Sequence, residues 1–421
     1  MTAQAAPHFV PDTPSATPVR LGRVRRLLPF MGPAFLVSVG YMDPGNWATD
    51  IEGGARFGYT LLWVLLLSNL MAILLQGLSA KLGIVTGKSL PENCRDRFPR
   101  WLNYILWGAA EGSALATDLA EFLGAALGFN ILLGIPLFQA ALLTGVAVFA
   151  LLALEKFGYR AVEYAIIALV AVIGLAYLYE LVLAKPLMAP LLKGLVTPNI
   201  MDGRLYIAIG MLGATVMPHN IYLHSALVLP RRALMEPRKH IRTQVADSVF
   251  ALNIAFLVNA AILIMSAATF FERGVVVTSI EQAHETLAPL LGGASAVAFA
   301  IALLASGLAS STTATLAGQV ILQGFLHVRM SLFVRRLITM VPALVVIYFQ
   351  VDSLKILVLS QVCLSFGLPF AILPLISLTK NHAVMGEYTN RRATTNLAIL
   401  VAAVILLLNA LLVYQMLGGK I

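Results

Sequence analysis

Asp43, Pro44, Gly45 and Asn46 put a carboxylate, a helix-breaking pair and an amide inside an apolar stretch that begins near Leu28. A second apolar stretch is interrupted by Val216-Met217-Pro218-His219-Asn220, which brings a thioether, an imidazole and another amide. Oxygen donors alone suit hard ions such as Mg²⁺ or Ca²⁺, whereas sulfur favours softer transition metals. The combination suggests a divalent first-row metal such as Mn²⁺ or Fe²⁺. One carboxylate leaves the bound pair at about +1, and Asp43 can carry a proton while the site is empty. Competition between metal and proton for that carboxylate is a natural basis for coupling. Taken singly, a membrane methionine is usually packing and a membrane proline often only a kink. The aspartate differs, because its cost makes function the default reading. His219 stays open between a solvated pore residue, a ligand and a proton relay.

Both interruptions fall within crossings rather than between them. From Pro29 to Met42 is about 14 residues, or roughly 21 Å of helix, too short for a hydrocarbon core of ~30 Å. The piece after the break cannot cross alone either, since Asp50, Glu52, Gly53, Gly54 and Arg56 follow within a few residues. Leu205–Thr215 and Ile221–Leu229 are equally short. Pro218 removes a backbone donor and frees carbonyls near Ala214 and Thr215. Unwound helix of this kind offers carbonyl oxygens and half-helix amides to an ion that must shed part of its hydration.

The rest of the chain fits a polytopic helical membrane protein. Of 421 residues, 59% are hydrophobic and 12% charged, about half the charged content of a soluble protein. The net charge of +9 sits in short loops between apolar segments, which reports topology and argues against a nucleic-acid ligand. Cys94 and Cys363 give no disulfide framework. Hydropathy predicts eleven crossings: 28–57, 59–83, 101–127, 134–154, 161–184, 204–229, 243–271, 293–324, 332–350, 353–379 and 394–417, with 279–291 a short external helix. Residues 1–27 read as a disordered cytoplasmic tail, rich in Pro, Ala and Thr with little periodicity up to about Val19. The arginines before the first apolar run mimic a signal peptide, but no small-residue cleavage site follows that run, so the first helix is read as retained. Roughly 22 of the 29 Lys and Arg residues fall inside if the amino terminus is cytoplasmic, which leaves the carboxyl terminus outside. Broken helices at positions one and six divide the chain into five-helix repeats, 28–185 and 204–379, with 394–417 an additional helix. No sequence identity between the halves is visible.

Together these motifs resemble the signature of the Nramp family of proton-coupled divalent metal transporters, and bacterial manganese transporters most of all. The resemblance extends through Ile221-Tyr222-Leu223-His224-Ser225, Asn46 to Tyr59, Ala116-Thr117-Asp118-Leu119-Ala120-Glu121, Ala305 to Gly318 and Arg335-Arg336. It implies an all-α, LeuT-like 5+5 inverted repeat with metal bound between helices one and six. Carried over by position, the metal ligands are Asp43, Asn46, the Met217 sulfur and the Ala214 carbonyl, with the Gly40 carbonyl joining in one conformation and Gln361 and Asn259 as additional or water-mediated contacts. Relatives that carry Mg²⁺ or Al³⁺ lack the methionine present here.

Glu111, Asp118 and Glu121 share roughly one face of the third helix. Arg335 and Arg336 open the ninth crossing, where cytoplasmic anchoring is the simplest reading. Leu337–Gln350 covers only ~21 Å, however, so the helix must reach back through the arginines, where acidic partners would offset their cost. The resemblance implies a proton path from Asp43 through Asp118 to Arg335 and Arg336, assisted by Glu111, Glu121 and His219. The serines and threonines from Ser306 to Thr315 read as close packing. His8, His240 and His327 read as solvated, and Glu281, His284 and Glu285 as a hydrated face.

The expectation is therefore a non-enzymatic importer in a bacterial plasma (inner) membrane, moving Mn²⁺, Fe²⁺ and similar ions with protons by alternating access. It needs no cofactor; metal and proton are its substrates and the bilayer its surroundings. Nothing in the sequence sets an oligomeric state. A sodium-coupled amino-acid transporter leaves Met217 unexplained, an intramembrane metalloenzyme lacks a His-Glu-x-x-His cluster, and a channel is excluded only by uphill accumulation.

Overall fold

The computed structural model describes residues 32–153 and 159–419, apart from 276 and 278. The expected tail, 1–27, lies outside the described residues. Every regular element among them is helical. α1 (Pro33–Gly40) and α2 (Pro44–Phe57) are two pieces of one broken helix, followed by α3 (Leu62–Thr86), α4 (Leu90–Arg97), α5 (Arg100–Leu133), α6 (Leu137–Ala153), α7 (Tyr159–Ala184) and α8 (Met188–Val196). α9 (Arg204–Val216) and α10 (Pro218–Leu227) are the second broken pair. After them come α11 (Pro237–Thr269), α12 (Ile280–Leu291), α13 (Gly293–Leu326), α14 (Leu332–Tyr348), α15 (Ser353–Thr379), α16 (His382–Met385) and α17 (Arg392–Met416).

Seven helical stretches among the described residues are long and apolar enough to cross a membrane unaided. The other expected crossings correspond to the α1–α2 and α9–α10 pairs and to α6 and α14, of 17 residues each. The outer surface is apolar, with Leu70, Leu175, Val182 and Leu400 exposed, as a lipid-facing belt requires. Three short helices were not anticipated. α4 forms inside the expected polar loop, started by a capping box in which Ser89 and Glu92 satisfy each other's ends, and it buries Cys94 completely. α11 begins at Pro237, several residues before the expected start. His240 is therefore buried on a helix and not solvated in a loop.

Small residues set the distances between helices. A side chain at Gly54 on α2 would meet the Leu263 carbonyl at 2.5 Å and the Ser266 Cβ at 2.8 Å on α11. The contact is sealed by the Ser266 hydroxyl, which donates to the Ile51 carbonyl at 2.7 Å. Gly213 on α9 lies as tightly against the backbone of Gln361 and Ser365 on α15. Gly54→Val should destabilise the protein by about 1–3 kcal/mol through overpacking. The measurement is thermal unfolding in detergent; an unchanged midpoint would show that α2 and α11 can part freely.

Candidate metal and proton site

The first break runs Tyr41-Met42-Asp43. Asp43 is extended (φ −71°, ψ 163°) and caps α2, with Pro44 in the first helical position, where a missing N–H costs nothing. Its Oδ1 accepts from both the backbone N and the side-chain Nδ2 of Asn46, each at 2.7 Å. Its Oδ2 has no partner. Pro44 thus begins the second half-helix as well as ending the first. Gly45 admits Gln361 of α15, whose side chain occupies the place of a Cβ.

The carbonyls freed at this break are largely occupied. That of Met42 accepts from the Ser306 hydroxyl at 2.5 Å and the Trp47 indole at 3.1 Å. The Tyr41 carbonyl accepts from Asn259 at 2.8 Å, and Gly40 accepts from the Asp43 amide at 3.1 Å. Ser306, expected only to permit packing, therefore also anchors the unwound segment. Gly40 has a second reason to be glycine: a Cβ there would lie 2.6 Å from Asn220.

The second break turns on Met217, which adopts φ 44°, ψ 101°. A bulky residue is rarely found there and must be held in place. Pro218 starts α10, and Asn220 donates to the Met217 sulfur at 3.3 Å.

The two breaks meet. Asn46 Nδ2 donates to the Ala214 carbonyl at 3.1 Å while also donating to Asp43. One N–H₂ group therefore sits where two of the expected ligand oxygens converge, in the position a cation would take between them. The Asn46 oxygen accepts from Asn259 at 3.3 Å. Asp43, Asn46, Ala214, Met217 and Gln361 are all at most 1% exposed. Asp43 Oδ2, Gln361 Oε1, Asn220 Oδ1 and Asn259 Oδ1 are buried acceptors without donors, a set with unspent capacity for a cation. Among the described residues no three His, Cys, Asp or Glu side chains gather as a ligand group, so any metal here depends on the single Asp43 carboxylate together with amide, carbonyl and sulfur donors.

On the proton side, Arg336 is fully buried and paired with Asp118 and the Ser311 hydroxyl. Arg335 pairs with Glu111 at 2.8 Å. α14 starts at Leu332, ahead of both arginines, so they are helical side chains facing α5. Glu121 is buried within electrostatic range of Asp118 and Asp43. His219 shares a hydrogen bond with Thr117 at 3.1 Å, and its Nε2 is unpartnered. Sequence reasoning missed a further network. Gln76 donates to the Tyr41 hydroxyl at 2.8 Å and contacts His224 at 3.0 Å, which ties the first break to α10 through α3. Asp247 on α11 accepts from the amides of Gly32 and Ala34 at 3.0 and 3.1 Å, which holds the start of α1.

The chain is similar to known proteins along most of its length. A family model described as natural resistance-associated macrophage protein-like (Nramp) matches residues 34–415. Curated proteins named divalent metal cation transporter MntH are similar along most of their length. The one from Caldanaerobacter subterraneus subsp. tengcongensis is 50% identical over 402 residues, covering 94% of this chain and 96% of the relative. That of Deinococcus radiodurans is 50% identical over 400 residues, covering 94% and 92%. Among solved structures, the Eremococcus coleocola manganese transporter bound to an aromatic bis-isothiourea compound superposes with a TM-score of 0.84 at 36% identity, covering 93% of this chain and 87% of that one. MhsT in complex with L-phenylalanine matches at a TM-score of 0.60 and 15% identity, covering 90% and 98%; that likeness shows the fold alone.

Proposed function

Because the chain belongs to the Nramp family, we propose that it imports divalent transition metals, Mn²⁺ foremost and Fe²⁺ and similar ions with it, together with protons. It is a transporter and not an enzyme, all-α and polytopic, with the LeuT-like fold of its structural neighbours. The metal is cargo. Asp43, Asn46, the Ala214 carbonyl and Met217 hold it, with Gly40 and Gln361 joining as the breaks change shape. The observation that carries this reading is the Asn46 amide bridging Asp43 and Ala214 across the two breaks. Rotating that amide, and breaking its contact with Asn259, would replace two N–H donors by a ligand oxygen.

Since all these groups are closed off from solvent, metal can enter or leave only when one side of the molecule opens. The natural moving pieces are the half-helices, within repeats 28–185 and 204–379, with 394–417 outside both. The protein lies in a bacterial plasma membrane, its amino terminus cytoplasmic and its carboxyl terminus outside. The released proton passes from Asp43 to Asp118 and Glu121, beside His219, and on toward Glu111, Arg335 and Arg336.

The decisive experiment is uptake by proteoliposomes with a panel of competing metals at two pH gradients. Mn²⁺ should accumulate uphill when the outside is acidic; only downhill flux at both gradients would reduce the protein to a channel. Asp118→Asn keeps the side-chain shape but removes the charge that pairs with Arg336. Metal-driven proton flux should fall by about tenfold or more, about 1.4 kcal/mol on the barrier, while downhill Mn²⁺ flux continues. Proton flux at the wild-type level in that variant would take Asp118 off the path.

A further inference from the structure

Two buried carboxylates in the molecule have no place in the path just described. Asp50 on α2 and Glu180 on α7 are each 0% exposed, and none of their carboxyl oxygens has a hydrogen-bond partner. The Tyr177 hydroxyl is buried and equally unpartnered, within electrostatic range of both acids. Its ring meets Trp47 edge to face at 4.7 Å, and Trp47 meets Phe299 at 5.7 Å. Asp50 lies three residues beyond Trp47, and Glu180 three beyond Tyr177. Each acid is thus about one turn further along its own helix than the ring pair that joins α2 to α7. In the topology proposed above both helices run outward, so both acids lie on the outer side of that contact. In the other direction, Asp50 is ~10 Å of helix from Asp43, and the two are in electrostatic range.

An ionised carboxylate stripped of water and of every donor is too costly to leave unpaired. Among the described residues no cation pairs with either acid. α1 and α13 carry no ionisable side chain. On α2, Glu52 is paired with Arg56 at 2.6 Å, and Glu272 nearby accepts from Tyr59 at 2.6 Å. α11 keeps Arg238, Lys239, His240, Arg242 and Asp247 in its first turns. Arg204 of α9 is paired with Asp202, and Lys355 of α15 with Asp352. α5 contributes Glu121 and Asp118, whose cationic neighbour Arg336 is already paired with Asp118. α12 carries Glu281, His284 and Glu285, of which His284 reaches Phe299 at 6.3 Å. A metal is a poor occupant, since two acids and a phenol among aromatic walls offer few donors and form no recognisable ligand group. Protons neutralise both acids without needing further ligands.

We propose that Asp50, Tyr177 and Glu180 form the entry-side half of the proton path, a relay that loads Asp43 from the outer half of the membrane. It rests on the proton-coupled reading above. Asp50 first delivers its proton to Asp43 through water admitted when the outer side opens. The Asp50 carboxylate is then refilled from the Tyr177 hydroxyl as Tyr177 takes the proton of Glu180, each transfer bridged by that water because the three groups do not touch. Glu180 is reprotonated from the external water, so over the cycle each group gains one proton and loses one.

The test uses the full chain in proteoliposomes, with Glu180→Gln, Asp50→Asn and Tyr177→Phe. Proton uptake driven by Mn²⁺ should fall by about tenfold in each, and acceleration of Mn²⁺ uptake by external acid should flatten. Mn²⁺ affinity measured by calorimetry should stay within about twofold, because none of the three belongs to the proposed ligand set. Glu180→Asp should restore part of the pH response. Wild-type proton flux and pH profile in the variants would overturn the relay. Tyr177→Phe keeps the ring packing and so remains readable if an acid variant fails to fold. A wild-type protein that moves no protons with metal would defeat the coupling itself, which is a distinguishable failure.

Discussion

Asp43→Ala is expected to abolish Mn²⁺ uptake and metal-driven proton flux together, each to below about a hundredth of wild type, equivalent to about 2.7 kcal/mol or more. Asp43 is the only carboxylate in the proposed ligand set. Without it a dication would enter a dry site with amide, carbonyl and sulfur dipoles and no negative charge, and the cost of dehydration would go uncompensated. The same residue is the proposed resting place of the proton, so both currents should stop at once. The substitution also removes the acceptor for the Asn46 amide at the start of α2, a capping loss of about 0.5–2 kcal/mol. Asp43→Asn separates the two effects, because asparagine caps as well as aspartate but carries no charge. It should be as inactive as the alanine variant while unfolding near the wild-type temperature. Robust Mn²⁺ transport by Asp43→Asn would mean that the cap, and not the ligand, explains the alanine result.

The architecture around that residue was legible to different depths. Pro44, Gly45 and Pro218 are loud signals in apolar helices, since few sequences tolerate them there without reason, and both breaks fall where those residues stand. The reach of α14 back over Arg335 and Arg336 followed from length alone. Pairing was harder. A lone Ser306, Asn259 or Gln76 in an apolar helix has no periodicity that says which carbonyl it serves, so Ser306 read as packing although it holds Met42. His240 was misplaced because the basic residues beside it look like a loop, whereas Pro237 starts a helix through them. Asp50 read as one of the polar residues that prevent a second crossing, yet it is fully buried. The sequence shows that α2 stays helical to Phe57 only weakly, because Gly53 and Gly54 argue against it. In the fold Gly54 is what lets α2 press against α11, while Gly53 faces Ile207 and Met211 of α9 at ordinary contact distance.

Removing the Met217 sulfur should change which ions are carried more than how many. Met217→Leu conserves volume, which limits the packing cost to under about 1.5 kcal/mol, whereas Met217→Ala would also leave a cavity in a fully buried position, worth about 2–5 kcal/mol. The leucine variant is therefore the cleaner probe. A thioether discriminates by softness: it stabilises a transition metal and does little for Ca²⁺, which prefers six to eight oxygens. With the sulfur gone, the remaining donors are oxygens, and the preference should narrow by about tenfold in the ratio of kcat/KM for Mn²⁺ and Ca²⁺, about 1.4 kcal/mol. Cd²⁺, the softest of the competing ions, should lose most. Asn220 retains the Val37 carbonyl at 3.3 Å as an alternative acceptor, so the break at Pro218 should keep its shape. Uptake assays with Mn²⁺, Cd²⁺ and Ca²⁺ in competition read the effect directly. If all three ratios stay as in the wild type, the sulfur is packing, and selection among divalent ions must come from the oxygen ligands around Asp43.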